Sequence, residues 1–97
     1  MYKLVDIKRS TKEGKKWTAY FEDTETGHTR KTHFGASGMQ DYTQHKDEER
    51  AERYRQRHKK DLRTEDPTRA GYLSYYILWD SPDLAKNIRN YKKRFNL

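Results

Sequence analysis

The first third of the chain alternates hydrophobic and polar residues with a period of two, which is the pattern of half-buried β-strands. Three stretches rich in β-branched and aromatic residues carry this pattern: 2–8, 17–21 and 28–34. Two clusters of turn-forming residues separate them, 10–15 and 23–27. Since turns this short join neighbouring antiparallel strands, the pattern predicts a three-stranded antiparallel meander.

The alternation also predicts which face of the sheet is buried. Residues at every second position of the strands are mostly apolar and point to one face. The predicted buried face comprises Leu4 or Val5, Trp17, Ala19, Phe21 and Phe34. Side chains at the positions between them are polar or amphipathic, and the predicted open face comprises Thr18, Tyr20, Lys31 and His33. Half-buried sheets commonly show such a face, but the layout also resembles the DNA-reading sheets of plant AP2-type and integrase arm-type domains.

A helical pattern begins near residue 41. Asp41 is a good N-cap and Gln44 completes a capping box, with Thr43 as the competing cap. The helix is predicted to continue to about Leu62, with acidic residues in its first turns and basic residues at its end, as the helix dipole favours. Its apolar stripe is thin and consists of Ala51, Tyr54, His58 and Leu62.

Two further segments follow the interruption at Pro67. Residues 68–79 fit either a buried helix or a strand, and the helical spacing of their apolar residues favours a helix. Ser81 is the predicted N-cap of the last helix, with Pro82 at its first position. The apolar stripe of this helix is Leu84, Ile88, Tyr91 and Phe95.

Strands followed by helices predict an α+β fold in a single basic domain, residues 1–97. The predicted architecture is an N-terminal three-stranded antiparallel β-meander followed by two or three α-helices. Only 31% of the residues are hydrophobic and 38% are charged, so the core must be small and rich in aromatic residues, which make up 13%.

Charge is the strongest indication of function. The 22 lysines and arginines outnumber the 15 aspartates and glutamates, and the resulting net charge of +7 favours a polyanionic partner. The chain has no cysteine, no run of apolar residues long enough to cross a bilayer and no apolar segment typical of a signal peptide. These features predict an intracellular protein that does not bind membranes.

Two groups of cations are candidates for contacts with phosphate. The first, called here the arginine array, repeats at spacings of 3, 4 and 3 and consists of Arg50, Arg53, Arg57 and Lys60. The second, the C-terminal array, consists of Lys86, Arg89, Lys92, Lys93 and Arg94. Alternatively, nearby acidic residues neutralise the arginine array, and the C-terminal array only complements a helix dipole. Lys31 and Tyr20 on the open face of the sheet are a third candidate.

Other motifs allow weaker interpretations. The segment 35–38 has the GXXG spacing of phosphate-binding loops but is more typical of a turn that needs positive φ angles. Asp41, His45 and Glu49 are four residues apart and allow a metal-dependent nuclease. A dense aromatic run is expected to be core, or else a contact between copies of the chain through Tyr72, Tyr75, Tyr76 and Trp79.

One segment has an unusual combination of residues. It includes the run from Phe34 to Met39 and the pairs Arg57-His58, Asp66-Pro67 and Leu78-Trp79, with Asn87-Ile88 beyond it. In these positions the chain resembles a group of small basic proteins encoded by giant DNA viruses of algae and amoebae. The resemblance implies an infected cell or a virion as the setting, and a role in coating or condensing DNA, but no catalytic residues.

The sequence therefore predicts a non-enzymatic protein that binds nucleic acid, DNA rather than RNA, largely without sequence specificity and without a metal or cofactor. One alternative is a structural or interaction protein, such as a minor virion component. The other alternative is the metal-dependent nuclease.

Overall fold

The computed structural model describes residues 1–97 and confirms the predicted α+β fold. Strands β1 (Tyr2–Arg9), β2 (Lys15–Asp23) and β3 (Thr29–Ala36) form an antiparallel sheet in the order β1-β2-β3. Leu4 lies opposite Phe21, and the register shifts directly after it because a bulge places Val5 outside the ladder. The bulge decides between the two predicted core residues: Leu4 is buried and Val5 is exposed.

Four helices follow the sheet. They are α1 (Tyr42–His45), α2 (Glu48–His58), α3 (Ala70–Leu73) and α4 (Leu84–Arg94). A 3-10 helix (Lys59–Thr64) extends α2, and a π-helix (Ser74–Leu78) extends α3. The helical interpretation of residues 68–79 is thus confirmed from residue 70 onward. No helix is both long and apolar enough to cross a membrane.

The single helix predicted from Asp41 to Leu62 is wrong, because the chain breaks between α1 and α2. Asp41 caps α1 in the predicted capping box with Gln44, but Lys46 adopts a left-handed conformation with φ 56°. Asp47 then begins α2 by accepting hydrogen bonds from the backbone N–H groups of Glu49 and Arg50. The sequence thus holds two N-cap aspartates six residues apart, and the second one starts a new helix.

The predicted start of the last helix is also wrong, by two residues. Asp83, not Ser81, is the N-cap, since its side chain accepts a hydrogen bond from the N–H of Lys86 at 3.0 Å. The Ser81 hydroxyl is already engaged, because it donates to the side-chain carbonyl of Asn87. Pro82 consequently precedes the helix instead of occupying its first position.

The core lies between one face of the sheet and the helices. It is largely aromatic, as predicted, and comprises Leu4, Ala19, Phe21, Phe34, Tyr42, Ala51, Tyr72, Leu73, Ile77, Leu78, Trp79 and Tyr91. Trp17, predicted to be buried, is only partly so. Thr18 lies on the open face but is buried, because its hydroxyl is hydrogen-bonded to Nδ1 of His33 at 2.7 Å on the neighbouring strand.

Candidate nucleic-acid interface

The arginine array lies on the exposed side of α2 and the 3-10 helix that follows it. All four side chains, Arg50, Arg53, Arg57 and Lys60, are exposed, and none forms an ion pair within 4 Å. The apolar stripe of α2 faces the other way, where Ala51 is buried and the Tyr54 ring stacks on Trp79 at 4.0 Å. The spacing predicted from sequence therefore survives the break in the helix, since all four residues follow it.

Arg55 forms ion pairs with two of the acidic residues that were expected to neutralise this array. Its guanidinium lies 2.9 Å from Glu48 and 2.8 Å from Glu52, and it also donates to the carbonyl oxygen of Trp79 at 2.6 Å. Arg55 is the half-buried arginine of α2, whereas the array is exposed. Two of the three glutamates of α2 are thus paired with Arg55, and no residue of the arginine array forms an ion pair.

Glu48 and Glu52 are held in place by uncharged neighbours as well. The hydroxyl of Tyr42 and then Arg55 hydrogen-bond to Glu48, and they lower the pKa of its carboxyl. Hydrogen bonds from Gln56, and then from Arg55, lower the pKa of the Glu52 carboxyl in the same way. Both carboxylates are therefore ionised at neutral pH and already hydrogen-bonded within the protein.

The C-terminal array occupies the exposed side of α4. Its five residues, Lys86, Arg89, Lys92, Lys93 and Arg94, are all exposed, and α4 contains no acidic residue that could pair with them. The Arg94 guanidinium lies 4.8 Å from the centre of the Tyr76 ring, which holds this side chain against the aromatic core. The opposite side of α4 is buried through Tyr91 and Asn87.

Both arrays flank the helical segment 70–78. On one side Tyr54 of α2 stacks on Trp79, which directly follows this segment. On the other, the side-chain amide of Asn87 in α4 donates to the carbonyl oxygen of Ile77 at 2.8 Å, and Tyr91 packs edge-on against Tyr76. Most of the array cations lie on the outer side of their helix, whereas Arg94 also contacts the Tyr76 ring of this segment.

The open face of the sheet brings Lys31 and Tyr20 together, as predicted. Lys31 Nζ lies 5.7 Å from the centre of the Tyr20 ring, and Lys8 Nζ lies 5.5 Å from it. Lys8 was missed because its position depends on the register of β1, which the bulge at Val5 shifts by one residue. Lys8 also lies 3.7 Å from Asp6, so this face offers weaker positive charge than either array.

The structure does not assemble the other predicted motifs. Gly35 has the expected positive φ of 82°, but Gly38 does not, and the N–H of Ser37 is taken by the carbonyl of Gly14. A side chain at Gly35 would also meet Leu78 at 2.9 Å. Gly35 therefore packs against the core, residues 36–38 are exposed, and the segment does not present a ring of free N–H groups.

The three residues of the nuclease interpretation are separated. Asp41 is buried in an ion pair with Lys16 at 2.7 Å, and the His45 ring lies 5.4 Å from that of Trp79. Glu49 belongs to α2, beyond the break at Lys46. No group of three or more metal-ligating side chains comes together anywhere in the chain.

The aromatic run is divided between the core and the surface. Tyr72 and Trp79 are buried, and the Tyr72 hydroxyl donates to the carbonyl of Leu62 at 2.7 Å. Tyr75 and Tyr76 are half-buried. Contact between copies of the chain through all four residues would therefore require the core to open, and only Tyr75 and Tyr76 remain accessible to a partner.

Comparison with protein families matches residues 5–58, from β1 to the end of α2, to a family of unknown function (DUF5754). No curated protein and no solved structure gives a significant match. The matched residues include β2, β3, the part of β1 from residue 5 onward, and Arg50, Arg53 and Arg57 of the arginine array, whereas α4 lies outside them. Because the match spans more than half of the 97 residues, the chain belongs to this family, DUF5754.

Proposed function

We propose that this protein binds nucleic acid, DNA in preference to RNA, through the phosphate backbone and largely without sequence specificity, and that it is not an enzyme. One observation carries the proposal. All nine cations of the two arrays are exposed, and none is paired with a carboxylate. Unpaired lysines and arginines on the outer sides of helices suit phosphate oxygens, and releasing the counterions of DNA drives their binding.

The geometry of the side chains supports contacts with phosphate over contacts with bases. The arginine array follows one helix face, as a row of cations along a strand of phosphates requires, and the C-terminal array covers the exposed side of α4, with most of its cations in the last turn. The nine cations outnumber the exposed amide side chains of the two helices, Gln56 and Asn90, which could recognise adenine through paired hydrogen bonds. We therefore propose that affinity depends on charge and varies little with sequence.

Salt dependence tests this proposal. If the protein contacts about six to ten phosphates, raising the salt concentration from 50 to 200 mM should lower its affinity for DNA by roughly 10³–10⁵. Fluorescence anisotropy with two duplexes of unrelated sequence, and with an RNA duplex, measures both the slope and the preference. No binding at 50 mM salt, or an affinity indifferent to salt, would contradict the proposal. A stable oligomer that ignores nucleic acid would support the structural alternative instead.

Catalysis is tested separately. We expect supercoiled plasmid to remain intact after incubation with the protein and Mg²⁺ or Mn²⁺. Cleavage that is lost in Asp41→Ala or Glu49→Ala would show a nuclease, and the non-enzymatic part of the proposal would then be wrong. The variant Glu25→Ala, in the exposed β2–β3 turn, is the matched control for removing a carboxylate.

A further inference from the structure

A cleft of about 910 Å³ opens beside the start of β2, and no residue of either array lines it. Its walls come from the ends of β1 and β3, from α1 and from residues 82–85. Four basic residues and one large aromatic ring line it: Arg9, Lys15, Lys16, Lys46 and Trp17. This combination lies within a volume typical of small-molecule sites.

The cleft carries a net positive charge, because four basic residues and two acidic residues line it. Asp41 is paired with Lys16 at 2.7 Å, and both side chains are largely buried. Asp83 caps α4. The remaining basic residues of the cleft, Arg9, Lys15 and Lys46, form no ion pair within the protein. An anionic ligand would therefore meet three cations without an ion pair and one capping carboxylate, Asp83.

Trp17 supplies an aromatic wall. Its ring is only partly buried, and the Arg9 guanidinium lies 5.3 Å from the ring centre. Because the guanidinium lies over one face of the ring, a flat aromatic ligand can stack on the part of the ring that solvent reaches or on the guanidinium itself, which can contact a phosphate as well. The Trp17 ring and the nearby guanidinium are thus placed to contact the flat aromatic part and the phosphate of one ligand.

Lys46 ends α1 in the left-handed conformation, with φ 56°. Glu65, at the end of the 3-10 helix, adopts the same conformation outside the cleft, so this geometry belongs to the helix end. Lys46 contributes to the cleft through its charge and its position in the wall.

We propose that this cleft binds a nucleoside phosphate, with the base against Trp17 and the phosphate at Lys15 and Lys46. A free nucleotide or an unpaired nucleotide in a strand would supply the same chemistry. The proposal goes beyond the binding of duplex backbone by the two arrays, because it involves residues of neither. The cleft therefore gives the protein a means to recognise strand ends or single-stranded stretches in addition to duplex.

Tryptophan fluorescence tests the proposal with adenosine monophosphate, an oligothymidine of five nucleotides, and inorganic phosphate as the probe without a base. We expect saturable quenching by the nucleotide and the oligonucleotide, and none by phosphate, because only a base stacks on the ring. Trp17→Phe should abolish the quenching, since Trp79 is buried in its stack with Tyr54. Circular dichroism confirms that the variant is folded.

Calorimetric titration of the Lys46→Gln variant with the same nucleotide measures how much the charge of Lys46 contributes to the affinity. The variant should bind roughly tenfold more weakly, as the loss of one hydrogen bond to a charged group implies. Lys3→Gln, at the far end of β1, is the matched control and should bind as the unaltered protein does. Absence of nucleotide binding at low salt, or equal weakening in both variants, would overturn the proposal. If duplex DNA does not bind but the nucleotide does, the proposed function fails and the cleft assignment stands.

Discussion

The two basic helices of this protein reach an exposed row of cations by different routes. Helix α2 contains four arginines and three glutamates, and it separates them by directing Glu48 and Glu52 to Arg55. Helix α4 contains five basic residues and no acidic one. An array can therefore remain free of ion pairs in two ways. Another basic residue can pair with the acidic residues of the helix, or the helix can contain no acidic residue.

The difference has an electrostatic consequence. Although no array residue of α2 is paired, the glutamates remain nearby, and the helix as a whole carries one net positive charge against five for α4. At a Debye length of about 8 Å in physiological salt, a phosphate senses these neighbours together. We therefore expect the C-terminal array to contribute more to DNA affinity than the arginine array.

The largest expected effect follows from removing three charges of α4 together. Lys92, Lys93 and Arg94 changed to Gln should weaken DNA binding by roughly a hundredfold at low salt, since each exposed contact contributes on the order of 1 kcal/mol. The logarithmic salt slope should flatten by about three contacts' worth. Anisotropy titrations at several salt concentrations measure both quantities.

Thermal melting controls for damage to the fold in this triple variant. Loss of the Arg94 contact with Tyr76 should cost about 0.5–1 kcal/mol of stability, as exposed cation–π contacts do. The apolar stripe that packs α4 is unchanged. A folded variant that binds DNA as tightly as the unaltered protein would show that the C-terminal array only complements the helix dipole.

A second effect should appear when the pairing residue of α2 is removed. Arg55→Gln leaves the carbonyl of Trp79 without its charged donor, and the free energy of unfolding should fall by about 2 kcal/mol. It also frees Glu48 and Glu52 to approach the arginine array, so DNA binding should weaken although Arg55 contacts no DNA. Urea unfolding and anisotropy measure the two effects.

The matched control for Arg55→Gln is Arg63→Gln, which removes an equal charge from an exposed position beyond α2. If both variants weaken DNA binding equally at a temperature where both are folded, Arg55 acts through its charge alone. The explanation based on pairing with Glu48 and Glu52 would then be wrong.

A smaller effect is expected from the arginine array itself. Arg50, Arg53 and Arg57 changed together to Gln should weaken binding by roughly tenfold, less than the triple change in α4, because the local potential of α2 is lower. Stability should hardly change, since these side chains are exposed and unpaired. A reversed ranking of the two triple variants would indicate that α2 enters a groove of the duplex.

How far the sequence predicts this molecule depends on the kind of feature. The meander and the helical stripes were predictable because each depends on a local period, and the array spacings follow from the same helical period. The break at Lys46 was not, because a charged residue with a positive φ leaves no pattern, and only the second N-cap at Asp47 hinted at it.

Features that depend on distant partners were harder to predict. The sequence places Arg55 among the basic residues at the end of α2, but its role follows from the carbonyl of Trp79, which lies 24 positions away. The same holds for the cleft, where Lys16 neutralises Asp41 from a strand 25 positions earlier. Composition and local spacing carry no information on such pairs.

The smallest expected effect concerns the junction where α2 begins. The His45 ring accepts a hydrogen bond from the N–H of Asp47 at 2.9 Å through Nδ1, while its Nε2 is buried without a partner. Burial, and then the charge of Arg50, lowers the pKa of His45 below its usual 6.5. Protonation would place a charge in this buried position and remove the acceptor.

Because the pKa of His45 is lower in the folded state, the unfolded state binds the proton more readily at acid pH. The stability that His45 contributes is complete above about pH 6.5 and is lost as the pH falls toward its folded pKa.

The melting temperature should therefore drop by a few degrees more between pH 7.5 and 5 in the unaltered protein than in His45→Gln, which cannot be protonated. His28→Gln, in an exposed turn, is the matched control for replacing a histidine. DNA binding by the C-terminal array should not follow this transition while the protein stays folded, since α4 does not contain His45. An equal pH dependence in His45→Gln would place the acid sensitivity elsewhere in the chain.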